Sequence, residues 1–494
     1  MENNPAVPSS TPTAGIKYVD VAASYLDERK LKKHAGWILL WALGVGAVIS
    51  GMYSGWNLGI GAGGFGGMAI ATALMTVMYI CMVYSIAELS SALPHAGGFY
   101  SFARNAFGPW GGMLVGVSDT IEYVLTPAVI VFFIGGFMNT LLPAVPLWVW
   151  WASFYAVFTV INIKGVEITF KVGLIVTILA IAVLLAFFVL ALATGSFHPN
   201  LLMNIEPKEG GSSFLPFGSY GIFAAIPFAI WFYLAIEQLP LAAEETKNVV
   251  EDMPKALIYG IATLVVLALL TLVLNTGVGG GAATMGASGA PLPDGFKAIF
   301  GEGLTTAAFT IIALVGLVAS FHTVIYAAGR VLFALSRSGY YPQWISVTGK
   351  TTHTPHRALI LSAVVGFVIA LVCSIDTKTV GAALLSMSVF GAVISYAVVM
   401  AAYIKLKITR PDMPRPYKSP LGVPGAVIGV TLAVIGLAAT MAVESNRPGV
   451  IGTAIFLVIM LVYFALYSSK RLVAKAPEEE VALVAEAEKE LAHK

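Results

Sequence analysis

Four ionisable side chains lie deep within long apolar stretches of this sequence: Asp119, Glu122, Glu237 and His322. A charge in such a setting is costly, and side chains kept there mark substrate paths or proton relays. Asp119 and Glu122 are three residues apart and share one helix face. No Lys or Arg lies at comparable depth, so the interior is acidic and has no cation of its own. Two chemistries suit such carboxylates. One is protonation and a hydrogen bond to a neighbouring helix; the other is a water-filled cavity and pairing with an incoming cation. Glu237, within "WFYLAIEQLP", faces the same choice. His322 is grouped with Glu237 as a candidate for proton coupling or gating, against the alternative of a packing histidine.

A primary ammonium would suit this interior, since it presents three donors and one charge. Carbonyls freed by helix unwinding, a carboxylate from Asp119 or Glu122, and an aromatic face would satisfy it. Tyr53, Trp56, Tyr123, Trp231, Phe232 and Tyr233 offer such faces, and each is equally suited to plain packing. A hydroxyl two carbons from the nitrogen needs a polar partner, for which Ser50, Ser54, Asn57 and Gln238 are candidates. The stretch "VISGMYSGWN" (48–57) places Ser50, Gly51, Ser54 and Gly55 inside an apolar run. Pro227 and Pro240 bracket "FAIWFYLAIEQL" in the same way. Two interrupted hydrophobic segments in corresponding halves are the sequence pointer to a transporter's binding site.

These residues are positioned by membrane helices. Of the 494 residues, 58% are hydrophobic and 11% charged, against about 25% charged in a soluble domain. Apolar runs near the length of a helical span recur along the chain. Twelve spans are predicted, at about 36–60, 67–92, 110–140, 146–163, 168–194, 218–243, 255–279, 303–329, 357–374, 379–404, 422–443 and 448–468. With the amino terminus inside, 24 of the 28 Lys and Arg residues fall on the cytoplasmic side, leaving Lys208, Lys297, Lys378 and Arg447 outside. That bias puts both termini in the cytoplasm of a multi-pass inner-membrane protein. The domain reading is a cytoplasmic segment 1–35, a transporter domain 36–470 and a charged tail 471–494, read as a solvated helix or disordered end. Cys81 and Cys373 fall inside spans and read as apolar side chains.

Other signals fail their context. "GAGGFG" (61–66) fits a dinucleotide fingerprint but follows a span, so it reads as a short external turn. "HTPH" (353–356) lies in a cytoplasmic loop and is not taken as a metal site. There is no P-loop for a nucleotide-driven pump. No nucleophile–base set, cofactor motif, metal site or nucleic-acid partner is expected, so an enzyme is disfavoured.

The longer motifs resemble a known family. "AELSSALPHAGGFYSFARNAFGPWGG" (87–112) and "YAAGRVLFALSRSGYYPQWISVTGKTTHTPHRAL" (326–359) are similar to the stretches after spans 2 and 8 of the amino acid–polyamine–organocation (APC) superfamily. "AAEETKN" (242–248) and "RPDMPRPYKSPLGVPG" (410–425) match the stretches after spans 6 and 10. The resemblance implies an all-α, leucine-transporter-type architecture: a five-plus-five inverted repeat with spans 1 and 6 broken and spans 11 and 12 appended. It places substrate near the midplane, with spans 3, 8 and 10 closing the site. Asp119 then takes a substrate-facing position of span 3, Trp231 an aromatic gate, and Glu237 the acidic position that proton-coupled relatives use. Where amino-acid members carry a small-residue motif like G-S-G-I-G, this chain has "SGMYSGWNLG", crowded by Tyr53, Trp56 and Asn57. Ala235 stands where many members have Gly, and Ala180 where many carry a span 5 lysine.

"VISGMYSGWNLGI" and "FAIWFYLAIEQLPLAAEETK" look most like the ethanolamine permease branch. The expected function is import of ethanolamine or a related small amine by alternating access, coupled to a proton or another ion. The alternative is a permease for neutral or cationic amino acids.

Overall fold

The chain breaks where its first span is least suited to a helix. Helices α1 (Trp37–Val48) and α2 (Ser50–Tyr53) end at Ser54, which is fully extended, and Gly55 follows at φ +91°. Only glycine reaches that backbone region without steric cost. Helix α3 (Leu58–Ala92) then begins. These features belong to a computed structural model whose backbone is described for residues 15–374 and 380–492. Among the described residues the chain is helical, with two isolated backbone bridges, Tyr18–Leu472 and Ala35–Thr246, and no strand.

The expected external turn at 61–66 is absent. Gly64 at φ +71° kinks α3 instead, joining the outer half of span 1 directly to span 2. The glycines serve contact as well as the kink. A Cβ on Gly63 would lie 2.3 Å from the Gly221 carbonyl oxygen, and one on Gly66 would lie 2.0 Å from that of Phe214. The run lets two helices meet the chain ahead of Trp231 backbone to backbone.

Helices α4 (Gly98–Leu141), α5 (Leu147–Ile163) and α6 (Val166–Ala193) follow. Gly108, at φ +76° and followed by Pro109, kinks α4 between a short leading piece and the long span. Helix α7 (Gly218–Trp231) unwinds over Phe232–Ala235 and resumes as a 3-10 segment, Ile236–Glu245. Then come α8 (Val249–Leu270), short α9 (Ala282–Met285) and α10 (Pro291–Phe300), α11 (Leu304–Arg337), α12 (His356–Cys373), α13 (Val380–Thr409), α14 (Gly422–Ala442), α15 (Arg447–Leu466) and α16 (Pro477–Ala492). Among the described residues nine helices are long and apolar enough to cross a membrane, and three shorter apolar helices accompany them. The outward face is apolar, as at Ile175, Val189, Val458 and Leu466, the surface hydrocarbon requires.

Two packed groups meet at the site. Helix α3 packs on α7 and α8, while α4 packs on α11 and α13. Cys81 is buried and free, and the side chain of Cys373 lies outside the described residues.

The tail corrects the expectation of a solvated end. Helix α16 begins with Glu478 and Glu479 fully buried against the start of α4 and the end of α11. Glu479 pairs with Arg104 at 2.7 Å and accepts from Tyr340 at 3.0 Å and Tyr18 at 3.2 Å. Glu478 pairs with Arg337, which also holds Glu244. Burial, and next the Glu479 carboxylate, push the Tyr18 phenol above its ordinary range, so it stays a donor. Acidic composition suggests solvation only when no basic pocket awaits it.

Candidate functional site

The two breaks meet at Gly51, in the short helix α2 just ahead of the unwound Ser54. A Cβ there would lie 2.5 Å from the Trp231 carbonyl oxygen and 3.3 Å from Phe232 Cα. Glycine is thus what lets the breaks of α1/α2 and α7 touch. Around the crossing, Trp231 Nε1 donates to the Ser54 carbonyl at 3.0 Å, and Trp56 stacks on Phe232 with ring centroids 5.6 Å apart. Trp231 is therefore tied to the unwound part of span 1, with its indole against Gly55.

Three backbone N–H groups at the breaks donate to side chains. Ser50 N–H donates to Ser320 Oγ at 2.9 Å, and Gly55 N–H to Asn57 Oδ1 at 3.2 Å. Ala235 N–H donates to Glu237 Oε1 at 2.9 Å. Ala235 adopts φ +84°, a left-handed conformation costly for any residue with a Cβ. That strain aims its N–H at the carboxylate, and it accounts physically for a preference for glycine at this position.

Glu237 is the centre of a hydroxyl chain. Tyr396 Oη donates to Glu237 Oε1 at 2.6 Å, and Tyr79 Oη donates to Tyr396 Oη at 3.2 Å. Tyr233 pairs with Thr76 Oγ1 at 2.7 Å, and its ring lies 5.3 Å from that of Tyr79. Asp119, Glu122 and Tyr123 are buried on α4. Asp119 Oδ1, both Glu122 oxygens and Glu237 Oε2 have no hydrogen-bond donor from the protein. Buried acceptors without donors are rare and costly. The arrangement can receive a multi-donor cation.

The remaining predicted residues divide. Ser54 Oγ and Trp56 Nε1 are buried without partners beside the crossing. Tyr53 turns the other way: its hydroxyl donates to the Ala180 carbonyl at 2.7 Å and its ring fills the space beside Gly316. Asn57 also reaches outward, donating at 2.8 Å to the carbonyls of Met285 and Ser288. Gln238 donates to the Leu43 carbonyl at 3.2 Å. His322 lies on the α5/α6 side of α11, where Nε2 meets the Thr169 carbonyl at 2.9 Å and Nδ1 meets Asn162 Nδ2 at 3.2 Å. Facing a carbonyl on one side and an amide donor on the other, it is a neutral imidazole with its proton on Nε2. Its hydrogen bonds do not reach the carboxylates.

Tyr79, Ser320 and Tyr396 were missed by sequence reasoning. Uncharged hydroxyls in apolar spans carry no signal alone; the Tyr79–Tyr396–Glu237 link joins residues 159 and 317 positions apart.

Residues 36–466 match the amino acid permease family. The chain belongs to that family. It is 30% identical to an uncharacterised transporter of Rhizobium meliloti, over 72% of this chain and 76% of that protein. It is 25% identical to the branched-chain amino acid permease BcaP of Bacillus subtilis, over 91% of this chain and 96% of the relative. A gamma-aminobutyric acid permease of the same organism is 23% identical, over 83% and 88%. The permease is therefore a membrane transporter, and its relatives act on small organic substrates.

Proposed function

We propose that this permease is a secondary transporter moving ethanolamine or a closely related small amine across the cytoplasmic membrane by alternating access, linked to protons. In this reading α1/α2 and α7 with its 3-10 continuation are the broken spans of a five-plus-five inverted repeat, and both termini are cytoplasmic. One observation carries the choice of ligand. The N–H groups of Ser50, Gly55 and Ala235 at the breaks are capped by the protein's own oxygens, whereas four carboxylate oxygens nearby lack donors. A ligand carboxylate finds these three donors taken and its own charge repelled. An ammonium finds the acceptors it needs, and charge-assisted hydrogen bonds are the strong ones.

The second reading is an amino acid permease, favoured by the substrates named for the relatives. Binding of ethanolamine, choline, serine and arginine to the purified protein, followed by uptake of the labelled ligands into proteoliposomes, separates the two. Ethanolamine is expected to bind and serine to compete poorly. Serine binding as tightly as ethanolamine overturns the amine reading and leaves the amino acid permease.

A further inference from the structure

The tail helix α16 is anchored by charge at its first turn, where Glu478 and Glu479 are fully buried. Glu479 Oε2 accepts from Arg104 Nε at 2.7 Å, near the start of α4, and Oε1 from Tyr340 Oη at 3.0 Å, just past α11. Glu478 Oε1 accepts from Arg337 Nη2 at 2.5 Å, and Oε2 from Ser338 Oγ at 3.3 Å, at the end of α11. Arg337 Nη1 in turn donates to Glu244 Oε2 at 2.8 Å, and Glu244 lies on the 3-10 segment that continues the broken α7. A Cβ on Gly97 would come within 2.9 Å of Glu478 Cγ, so the helix also bears on the N-cap of α4. The 3-10 segment packs on both α4 and α11, and all three elements are tied to two adjacent side chains of the tail. Among the described residues beyond that turn, Val484 and Glu488 are exposed. A cleft of about 640 Å³ opens there between α16 and the loop at 409–414. The acidic pair is the anchor.

Docking by charge differs from docking by an apolar face. An apolar face gains its full burial free energy and loses it on release. A buried ion pair pays a desolvation cost that its attraction only about repays, and release returns both charges to water. A helix anchored in this way lies close to balance between docked and free. The strap ahead of it has its own backbone ties: Val19 N–H donates to the Leu472 carbonyl at 2.8 Å, and Val473 N–H to that of Ser338 at 3.1 Å. Helix α16 can therefore leave and return while the chain before it stays in place.

We propose that α16 is a latch on alternating access. Docked, its acidic pair clamps the 3-10 segment, the start of α4 and the end of α11 together and keeps this face shut. Released, it frees them to part. The latch goes beyond the choice of substrate and holds for an amine or an amino acid alike.

The test follows a thiol beneath the clamp in the full-length protein and needs no ligand. Leu241, buried on the 3-10 segment against Gly98, is replaced as Leu241→Cys together with Cys81→Ala and Cys373→Ala. Its reaction with a water-soluble maleimide is then timed. With the native tail the reaction should be slow. Adding Glu478→Gln and Glu479→Gln should speed it several-fold or more, because docking would then set Arg104 and Arg337 against neutral amides. A synthetic peptide of residues 477–492, in excess, should slow it again, and the same peptide with both Gln substitutions should not. Tyr340→Phe removes one donor to Glu479 and touches no charge, so its rate should fall between the two. Equal rates with and without the acidic pair overturn the latch. So does a faster rate that the native peptide fails to reverse, since that marks general loosening. If the double variant does not fold, Tyr340→Phe decides: a faster rate supports the latch, and an unchanged rate makes α16 a fixed structural brace.

Discussion

Buried carboxylates occur at two levels of this permease and are treated in opposite ways. At the face where the tail docks each is matched to a base. Glu245 takes Arg330 Nε at 3.0 Å and the hydroxyl of Tyr326. Glu479 takes Arg104, Glu244 and Glu478 share Arg337, and Glu88 takes Lys407 and Arg415 at 2.6 and 3.1 Å. At the crossing of the broken spans, Asp119, Glu122 and Glu237 have only hydroxyls and one backbone N–H for company. The first set holds the structure together: its pairs tie the α11 end, the α4 start, the 3-10 segment and the tail into one face. The second set leaves oxygens unsatisfied, a cost that folding alone does not explain and that a cationic ligand would relieve.

The largest expected effect breaks the paired set. Glu245→Gln leaves the Arg330 guanidinium buried without its counter-charge, at an exposure of 1%. Such a loss costs about 3–5 kcal/mol, and thermal unfolding of the purified variant should show a large drop. Glu122→Gln is the control on the other side. It removes a carboxylate that has no base and should leave stability within about 1 kcal/mol or raise it. Equal destabilisation by the two substitutions would erase the distinction between the levels.

The Glu122 variant should fail in binding where Glu245→Gln does not. If the carboxylate meets a desolvated ammonium, Glu122→Gln or Asp119→Asn should weaken ethanolamine binding by roughly 3–5 kcal/mol. Calorimetry on both variants measures this directly, and wild-type affinity in both would remove the acidic set from the binding site.

A smaller effect is expected at Trp231. Its indole is fixed by the Ser54 carbonyl and lies against Gly55, so the ring is held beside the break. Trp231→Leu keeps an apolar surface and loses about 0.5–2 kcal/mol of cation–π attraction. The matching readout is a several-fold weaker affinity for ethanolamine. An unchanged affinity would assign Trp231 to packing.

The two levels also differ in how far the sequence reveals them. The midplane acids could be read because Asp119, Glu122 and Glu237 interrupt apolar runs, and the break at Ser54–Gly55 because its residues weaken a helix. The base-paired carboxylates were hidden. Glu479 and Arg104 are 375 positions apart, and Glu478 and Arg337 are 141 apart. An acidic tail and basic helix ends look solvated until folding brings them together. The kink at Gly64 was misread as a turn for a related reason: a glycine run marks a loop equally well as a close backbone contact, and only the Gly221 and Phe214 carbonyls decide between them.

The smallest effect sharpens the comparison at the hinge that serves the acidic level. Ala235 is left-handed and fully buried, and its N–H is committed to Glu237. Holding a non-glycine residue there costs about 1–2 kcal/mol. Ala235→Gly relieves that strain, but gives back part of it through the greater freedom of glycine in the unfolded chain, about 0.4–1 kcal/mol. The net gain is therefore about 0.5–1 kcal/mol, a modest rise in the thermal midpoint. Binding should change little, since the N–H donor remains. A loss of stability in Ala235→Gly would mean that the buried methyl contributes more than the strain costs, and that the hinge is held by packing and not by its backbone.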